Sequence, residues 1–219
     1  MLFDVDGTLV DTTFLHAVCW AEALRQHGHH VTMADAHHAI GMGSDRLLDH
    51  LLGEDRDTDN DDELNAAHKT LYKQYWGRLV PLPGAADLLR ACAQRGLAVV
   101  LASSASDEEL DALRSALDAD DAITMATSAD DADTSKPASD ILDAALERAG
   151  LEAADAVFVG DAVWDGAAAS KAQLRFIGVT CGGTPEVDLR AAGAVEVWRD
   201  PAELVAELTR SAISELTSR

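Results

Sequence analysis

Short apolar runs that break into Gly, Ser or Asp punctuate the chain, and amphipathic stretches separate them. Residues 97–103 (Leu-Ala-Val-Val-Leu-Ala-Ser) read as a strand buried on both faces, because no polar position interrupts the run before its closing hydroxyl. Ser106 with Glu109 three residues later carries a capping-box signature, and Leu110, Leu113 and Leu117 give the apolar stripe of the helix after it. The same strand-then-helix unit recurs. Residues 156–160 open onto Asp161, residues 176–180 form another run, and residues 195–198 form a last short one before a helix beginning near Pro201. A helix is predicted over 138–149, closed by Gly150. This alternation predicts a doubly wound parallel sheet. At the start of the chain, the run Leu2-Phe3-Asp4-Val5-Asp6-Gly7-Thr8 breaks from apolar strand into glycine turn. Only three residues precede Asp4 where a strand usually has about five, so a shortened first strand is predicted.

The pattern changes between residues 13 and 82. Helical periodicity covers 14–27, 46–52 and 62–78 without a convincing strand, and Pro81 and Pro83-Gly84 then stop the helical run. A helical insertion over 13–82 is predicted, carried by a core of residues 1–12 and 83–219. The acidic loop 55–62 lacks the glycine and closing glutamate of an EF-hand, and reads as a solvated turn. Gly41 and Gly43 follow no strand and so make no dinucleotide fingerprint. The only biased stretch is the Asp-rich 130–133.

The 219 residues are 47% hydrophobic, enough for a substantial core, and carry a net charge of −22 that argues against a basic nucleic-acid surface. No apolar stretch is long enough for a membrane span, and the first residues do not read as a secretory signal. Cys19, Cys92 and Cys181 are odd in number and widely spaced, as expected of reduced thiols in a cytoplasmic protein. A chain this acidic repels anions at long range. Any phosphate site must therefore gather positive charge locally, and the only lysines are Lys69, Lys73, Lys136 and Lys171.

Strand alternation sends Asp4 and Asp6 to one side of the chain and Val5 to the other. Two carboxylates that close repel unless a cation or a shared proton intervenes, and an all-oxygen set without neighbouring Cys or His points to Mg²⁺ rather than Zn²⁺. All eight histidines fall between His16 and His68, which predicts no histidine chemistry in the α/β half and surface positions for most of them. His16 shares a helix face with Trp20, and either looks towards a substrate or bonds locally. The polar residues at strand ends form one ordered set: Asp4, Asp6, Ser103, Lys136, Asp161 and Asp165.

In that order the set resembles the motifs of the haloacid dehalogenase superfamily, in the group holding phosphoglycolate phosphatases and β-phosphoglucomutases. Asp4-Val5-Asp6-Gly7-Thr8-Leu9 resembles the first motif, Ser103 the second, Lys136-Pro137 the third, and Gly160-Asp161 with Asp165 the fourth. The resemblance implies an α/β fold: a Rossmann-like core whose parallel sheet has a strand order near 5-4-1-2-3, with an inserted α-helical cap domain. It further implies an enzyme that acts on a small phosphorylated metabolite. Asp4 would be the nucleophile, Asp6 the proton carrier, and Ser103 and Lys136 the phosphoryl ligands. Mg²⁺ would be held by Asp4, Asp161 and the backbone carbonyl of Asp6, with Asp165 orienting Lys136 or a metal-bound water. Ser104 adds a donor, and Arg46, in the cap loop 40–46, is a candidate for the substrate's leaving group, as is His16. A sugar-phosphate mutase is the alternative reaction, and a non-catalytic binding module on the same scaffold the alternative of another class.

Overall fold

The computed structural model describes residues 1–131 and 136–216; part of the Asp-rich stretch, residues 132 and 133, lies outside the described residues. Six parallel strands form one sheet: β1 (Leu2–Phe3), β2 (Val100–Ala102), β3 (Met125–Thr127), β4 (Val157–Gly160), β5 (Arg175–Val179) and β6 (Ala194–Trp198). Their spatial order is β3-β2-β1-β4-β5-β6, which contains the predicted order and adds β6 at one edge. β1 has two residues, yet it pairs on both sides, Leu2 with Val100 and Phe158 and Phe3 with Leu101 and Val159. Both side chains are fully buried. Burial of each contributes about 1.5–3 kcal/mol, which compensates for the few hydrogen bonds so short a strand can make.

Helices cover both faces because every central strand position is apolar. Phe3, Leu101, Val157 and Val159 pack with α5 (Ala85–Gln94), α6 (Asp107–Leu117) and α10 (Pro201–Ala206) on one face. Leu2, Val100, Phe158 and Phe176 pack with α7 (Asp140–Ala149), α8 (Val163–Lys171) and α9 (Glu186–Ala191) on the other. The chain reverses its direction of winding at β1, and ligands of open α/β sheets bind outside the carboxyl ends of the strands at such a point.

Residues 13–82 hold α1 (Thr13–Gln26), α2 (Met33–Ala39), α3 (Ser44–Leu52), α4 (Asp61–Lys73) and a 3-10 turn over Trp76–Arg78, with no strand among them. Their own core comprises Trp20, Leu24, Leu47, Leu48 and Leu64. At its root, Asp11 N donates to Val80 O and Leu82 N to Leu9 O, so chain leaving the sheet is paired with chain returning to it. The insertion also touches the core at its far side: the Trp164 indole N–H donates to His38 O at 2.8 Å and His37 Nε2 donates to Gly182 O at 3.0 Å.

Some expectations are corrected. The helix predicted over 62–78 ends at Lys73 and tightens into the 3-10 turn. Ser106 makes no side-chain cap bond on α6, so the Ser106/Glu109 capping box does not form. His16 is buried, whereas the other histidines are exposed or half-buried, as expected for most of them. Three elements carried too little pattern to be foreseen: α2, with two buried residues in seven; the edge strand β3, mostly half-buried; and the six-residue α9.

Candidate active site

Three adjacent strands end on polar residues: Asp4 follows β1, Ser103 follows β2 and Asp161 follows β4. The loop before α7 supplies Lys136, and the first turn of α8 supplies Asp165. The sheet thereby brings together residues up to 161 positions apart in the chain. Lys136 Nζ lies 2.5 Å from Asp4 Oδ1 and 2.8 Å from Asp165 Oδ1, and all three side chains are buried. Asp165 combines two roles, because its other oxygen accepts from Ala162 N at 3.0 Å and ties the start of α8. Thr8 Oγ1 donates to Asp161 Oδ1 at 3.0 Å and lies 3.4 Å from Asp4 Oδ2.

Electrostatics follow from that crowding. Burial, opposed by Lys136 and reinforced by Asp165 and Asp6, pushes the Asp4 carboxyl up to about 7. Burial and the charges of Asp165 and Asp4 push Asp161 well above the usual carboxylate range. Burial works against the Lys136 ammonium, but Asp165 and Asp4 outweigh it and hold its proton more firmly than usual. Oxygens of Asp4, Asp161 and Asp165 lie within 4.8 Å of one another. With all three carboxyls ionised beside one ammonium the buried site would carry two negative charges, the complement of one divalent cation, and the oxygen donors suit a hard ion.

Close backbone approach makes room for this group. Gly7 adopts φ +75°, and a Cβ there would collide with Thr13 Oγ1 and the Asp161 carboxylate. A Cβ on Gly182 would collide with Asp161 as well.

Asp6 turns to a different neighbourhood. Its Oδ1 accepts from Thr12 Oγ1 at 2.7 Å and lies 3.2 Å from His16 Nε2. Despite burial, which favours the neutral acid, the His16 and Thr12 hydrogen bonds hold the Asp6 carboxyl below its ordinary value. Histidine chemistry therefore does reach the α/β half, contrary to the reading from sequence: helix α1 starts at the Asp loop and carries His16 back over it. His16 bonds to Asp6 and His68 and also lines the cavity. The Asp6 carboxylate groups with His16 and Glu109 rather than with Asp4 and Asp161.

A cavity of about 260 Å³ opens over Asp4 and Asp6, between the core and the insertion. Ser104 lines it, whereas Ser103 is buried at the strand end with Oγ accepting from Ala105 N at 3.0 Å. Trp20, Ile40, Met42 and Leu47 give the insertion's side an apolar wall, into which Asn65, His68 and Lys69 of α4 also project. Arg46 is not part of that wall: it is exposed and sits 3.9 Å from Asp45 and Asp49. The sequence reading missed Asn65, Lys69 and Glu109. The spacing of Asn65, His68 and Lys69, three and four residues apart, was the available signal for a shared helix face.

The fold and site define a class: a Rossmann-like α/β protein with a helical insertion over an aspartate loop. The chain matches the model of the haloacid dehalogenase-like hydrolases over residues 1–173, and it belongs to that family. It is 31% identical over 182 residues to Protein CbbY, plasmid, of Cupriavidus necator, covering 74% of this chain and 70% of that protein. Among solved structures, a hydrolase from Pseudomonas syringae superposes with TM-score 0.91 at 29% identity, covering 96% of this chain and 98% of that one. CbbY from Rhodobacter sphaeroides in complex with phosphate superposes with TM-score 0.73 at 26% identity, over 93% and 94% of the two chains.

Proposed function

We propose that the protein is a Mg²⁺-dependent phosphatase that hydrolyses a small phosphomonoester through an aspartyl-phosphate on Asp4. The observation that carries this reading is the pair of contrasting carboxylates two residues apart: Asp4 between Lys136 and the Asp161/Asp165 group, and Asp6 bonded to Thr12 and His16 at the same cavity. Support also comes from the relatives, since CbbY of Rhodobacter sphaeroides has been solved with phosphate and, as a mutant, with xylulose-(1,5)bisphosphate.

Asp4, Asp161 and the Asp6 carbonyl would hold Mg²⁺, with Asp165 behind them. When bound, the ion offsets the repulsion between carboxylate and phosphoryl group. An aspartate needs no base to become a nucleophile once ionised, so an Asp4 oxygen attacks phosphorus and the phosphorus–oxygen ester bond breaks. Asp6, whose hydrogen bonds favour the ionised form, takes up a proton before the transfer and gives it to the departing oxygen; it then takes one from the water that cleaves the acyl phosphate, returning Asp4 and releasing inorganic phosphate. Lys136 and Ser103 hold the non-bridging oxygens, with Ser104 adding a donor at the cavity wall. The substrate's alcohol part faces the mixed wall of Trp20, Met42, Asn65 and Lys69. The compartment proposed is the cytoplasm, in keeping with three free cysteines.

A sugar-phosphate mutase is the second reading, favoured by the share of the cavity wall that the insertion supplies, since an enclosed site can retain a sugar phosphate between half-reactions. Phosphate release from p-nitrophenyl phosphate, with and without Mg²⁺ and beside an Asp4→Asn variant, tests the proposal. Metal-dependent release that Asp4→Asn abolishes is the expected result; release unaffected by Asp4→Asn removes the nucleophile. A mutase would instead interconvert hexose phosphates in the presence of a bisphosphate with little free phosphate, and a binding module would do neither.

A further inference from the structure

Glu109 sits in the first turn of α6, where a glutamate ordinarily completes a capping box with Ser106. The bond is not made, and Ser106 Oγ is buried without a hydrogen-bond partner. The Glu109 side chain, only 13% exposed, turns into the cavity and brings Oε1 to 3.4 Å from His16 Nε2. That orientation has a cost. Burial, opposed by His16 and reinforced by Asp6, pushes the Glu109 carboxyl up to about 7, so a stabilising helix cap is given up for a site that penalises the charge.

The same His16 nitrogen lies 3.2 Å from Asp6 Oδ1, while His16 Nδ1 lies 3.2 Å from His68 Nε2. Tyr72 stacks on the His16 ring at 3.9 Å between centroids, and Trp20 on that of His68 at 4.2 Å. The stacking fixes the plane of the imidazole but not which edge faces the Asp loop. Asp6 Oδ1 does fix it, because a carboxylate acceptor requires that nitrogen to carry a proton, and Glu109 places a second acidic group beside the same nitrogen.

We propose that Glu109 is a positioning residue of the reaction. It directs the Nε2–H of His16 between two carboxylates, and His16 in turn holds Asp6 with one oxygen engaged and the other aimed at the substrate's leaving oxygen. The inference rests on the proposed role of Asp6 as proton carrier, and it assigns to α6 of the core a part in a hydrogen-bond chain that otherwise runs through the insertion.

Two leaving groups separate this role from a structural one. Nitrophenolate departs without a proton, whereas the alkoxide of glycerol phosphate requires one, and kcat/KM reports only the steps up to transfer of the phosphoryl group to Asp4. In Glu109→Gln, which removes the acidic group beside His16, kcat/KM for glycerol phosphate should fall about 10–100-fold, the range seen when an outer partner of a site residue is lost, while that for p-nitrophenyl phosphate changes little. Its kcat for p-nitrophenyl phosphate should fall, with a burst of nitrophenolate, because hydrolysis of the aspartyl-phosphate still needs Asp6. Glu109→Asp, which keeps the charge, should recover part of the loss. Equal losses on both substrates, or none on either, would overturn the inference. Asp4→Asn run alongside keeps the two readings distinct, since turnover surviving there indicts the nucleophile and not Glu109.

Discussion

Asp4 and Asp6 are two residues apart and live in opposite environments. Asp4 is enclosed by the core alone: Lys136, Thr8 and the Asp161/Asp165 pair, all supplied by loops at the carboxyl ends of the sheet. Asp6 is held by Thr12 at the mouth of the insertion, by His16 of α1 and, through His16, by Glu109 of α6. The difference shows in their acidity, Asp4 raised towards neutrality by burial and Asp6 kept below its ordinary value by hydrogen bonds that outweigh burial. Here the charge-holding side is built into the rigid sheet, and the proton-handling side is shared with the part of the chain that covers the substrate.

The largest effect that can break this comparison is removal of the nucleophile. Asp4→Asn should lower turnover of any phosphomonoester by about 10⁶-fold, the scale seen when a nucleophile is lost. Asp6→Asn should act unequally, costing about 10²–10⁴-fold in kcat/KM on alkyl esters and little on p-nitrophenyl phosphate. If both variants lost activity equally on both substrates, the two carboxylates would not have separate roles. Lys136→Ala probes the Asp4 side through stability: deleting one partner of a buried ion pair costs about 3–5 kcal/mol, which urea unfolding would register.

A subtler contrast lies in pH. Asp4 and Glu109 move from 3.8 and 4.5 to about 7 on folding, so between about pH 4 and 7 the folded protein binds more protons than the unfolded chain. His16, held above 6.5, acts in the same direction: the stability it contributes is complete below that value and lost as pH rises through its folded pKa. Asp6 works the other way in acid, where its contribution is lost as pH falls through its lowered pKa; His68 and the Met1 amino group, both lowered by burial, also oppose, but are outnumbered by Asp4, Asp161, Glu109 and His16. The metal-free protein should therefore melt at a lower temperature at pH 8 than at pH 5. Added Mg²⁺ should raise the melting temperature more at pH 8, where the carboxylates are ionised. A melting temperature that climbs from pH 5 to pH 8 in chelator would contradict this charge assignment. The smallest effect belongs to Arg46→Ala, which should leave KM within about two-fold because the side chain is exposed and away from the cavity wall.

Much of the Asp4 side was legible in the chain. Strand ends declare themselves when an apolar run stops at Asp or Ser, and three such stops led to Asp4, Ser103 and Asp161, with Lys136 between the last two found through the motif order they resemble. The Asp6 side was harder to read, because its contacts depend on the path of the insertion. Nothing in the spacing says that α1 folds back over the loop it leaves, so His16 stayed ambiguous. Glu109 was read by a local rule, the capping box, that a tertiary contact overrode. Arg46 drew attention as the cation of a glycine-rich loop, but α3 turns it to solvent beside Asp45 and Asp49.

The central claim is that the phosphoryl group passes through Asp4. Turnover of p-nitrophenyl phosphate quenched in acid on the millisecond scale, followed by peptide mapping by mass spectrometry, tests it directly. One phosphoryl group on the peptide containing Asp4, absent from the Asp4→Asn protein, is the predicted result; a phosphoryl group on another residue, or turnover without any phosphorylated peptide, would contradict the account.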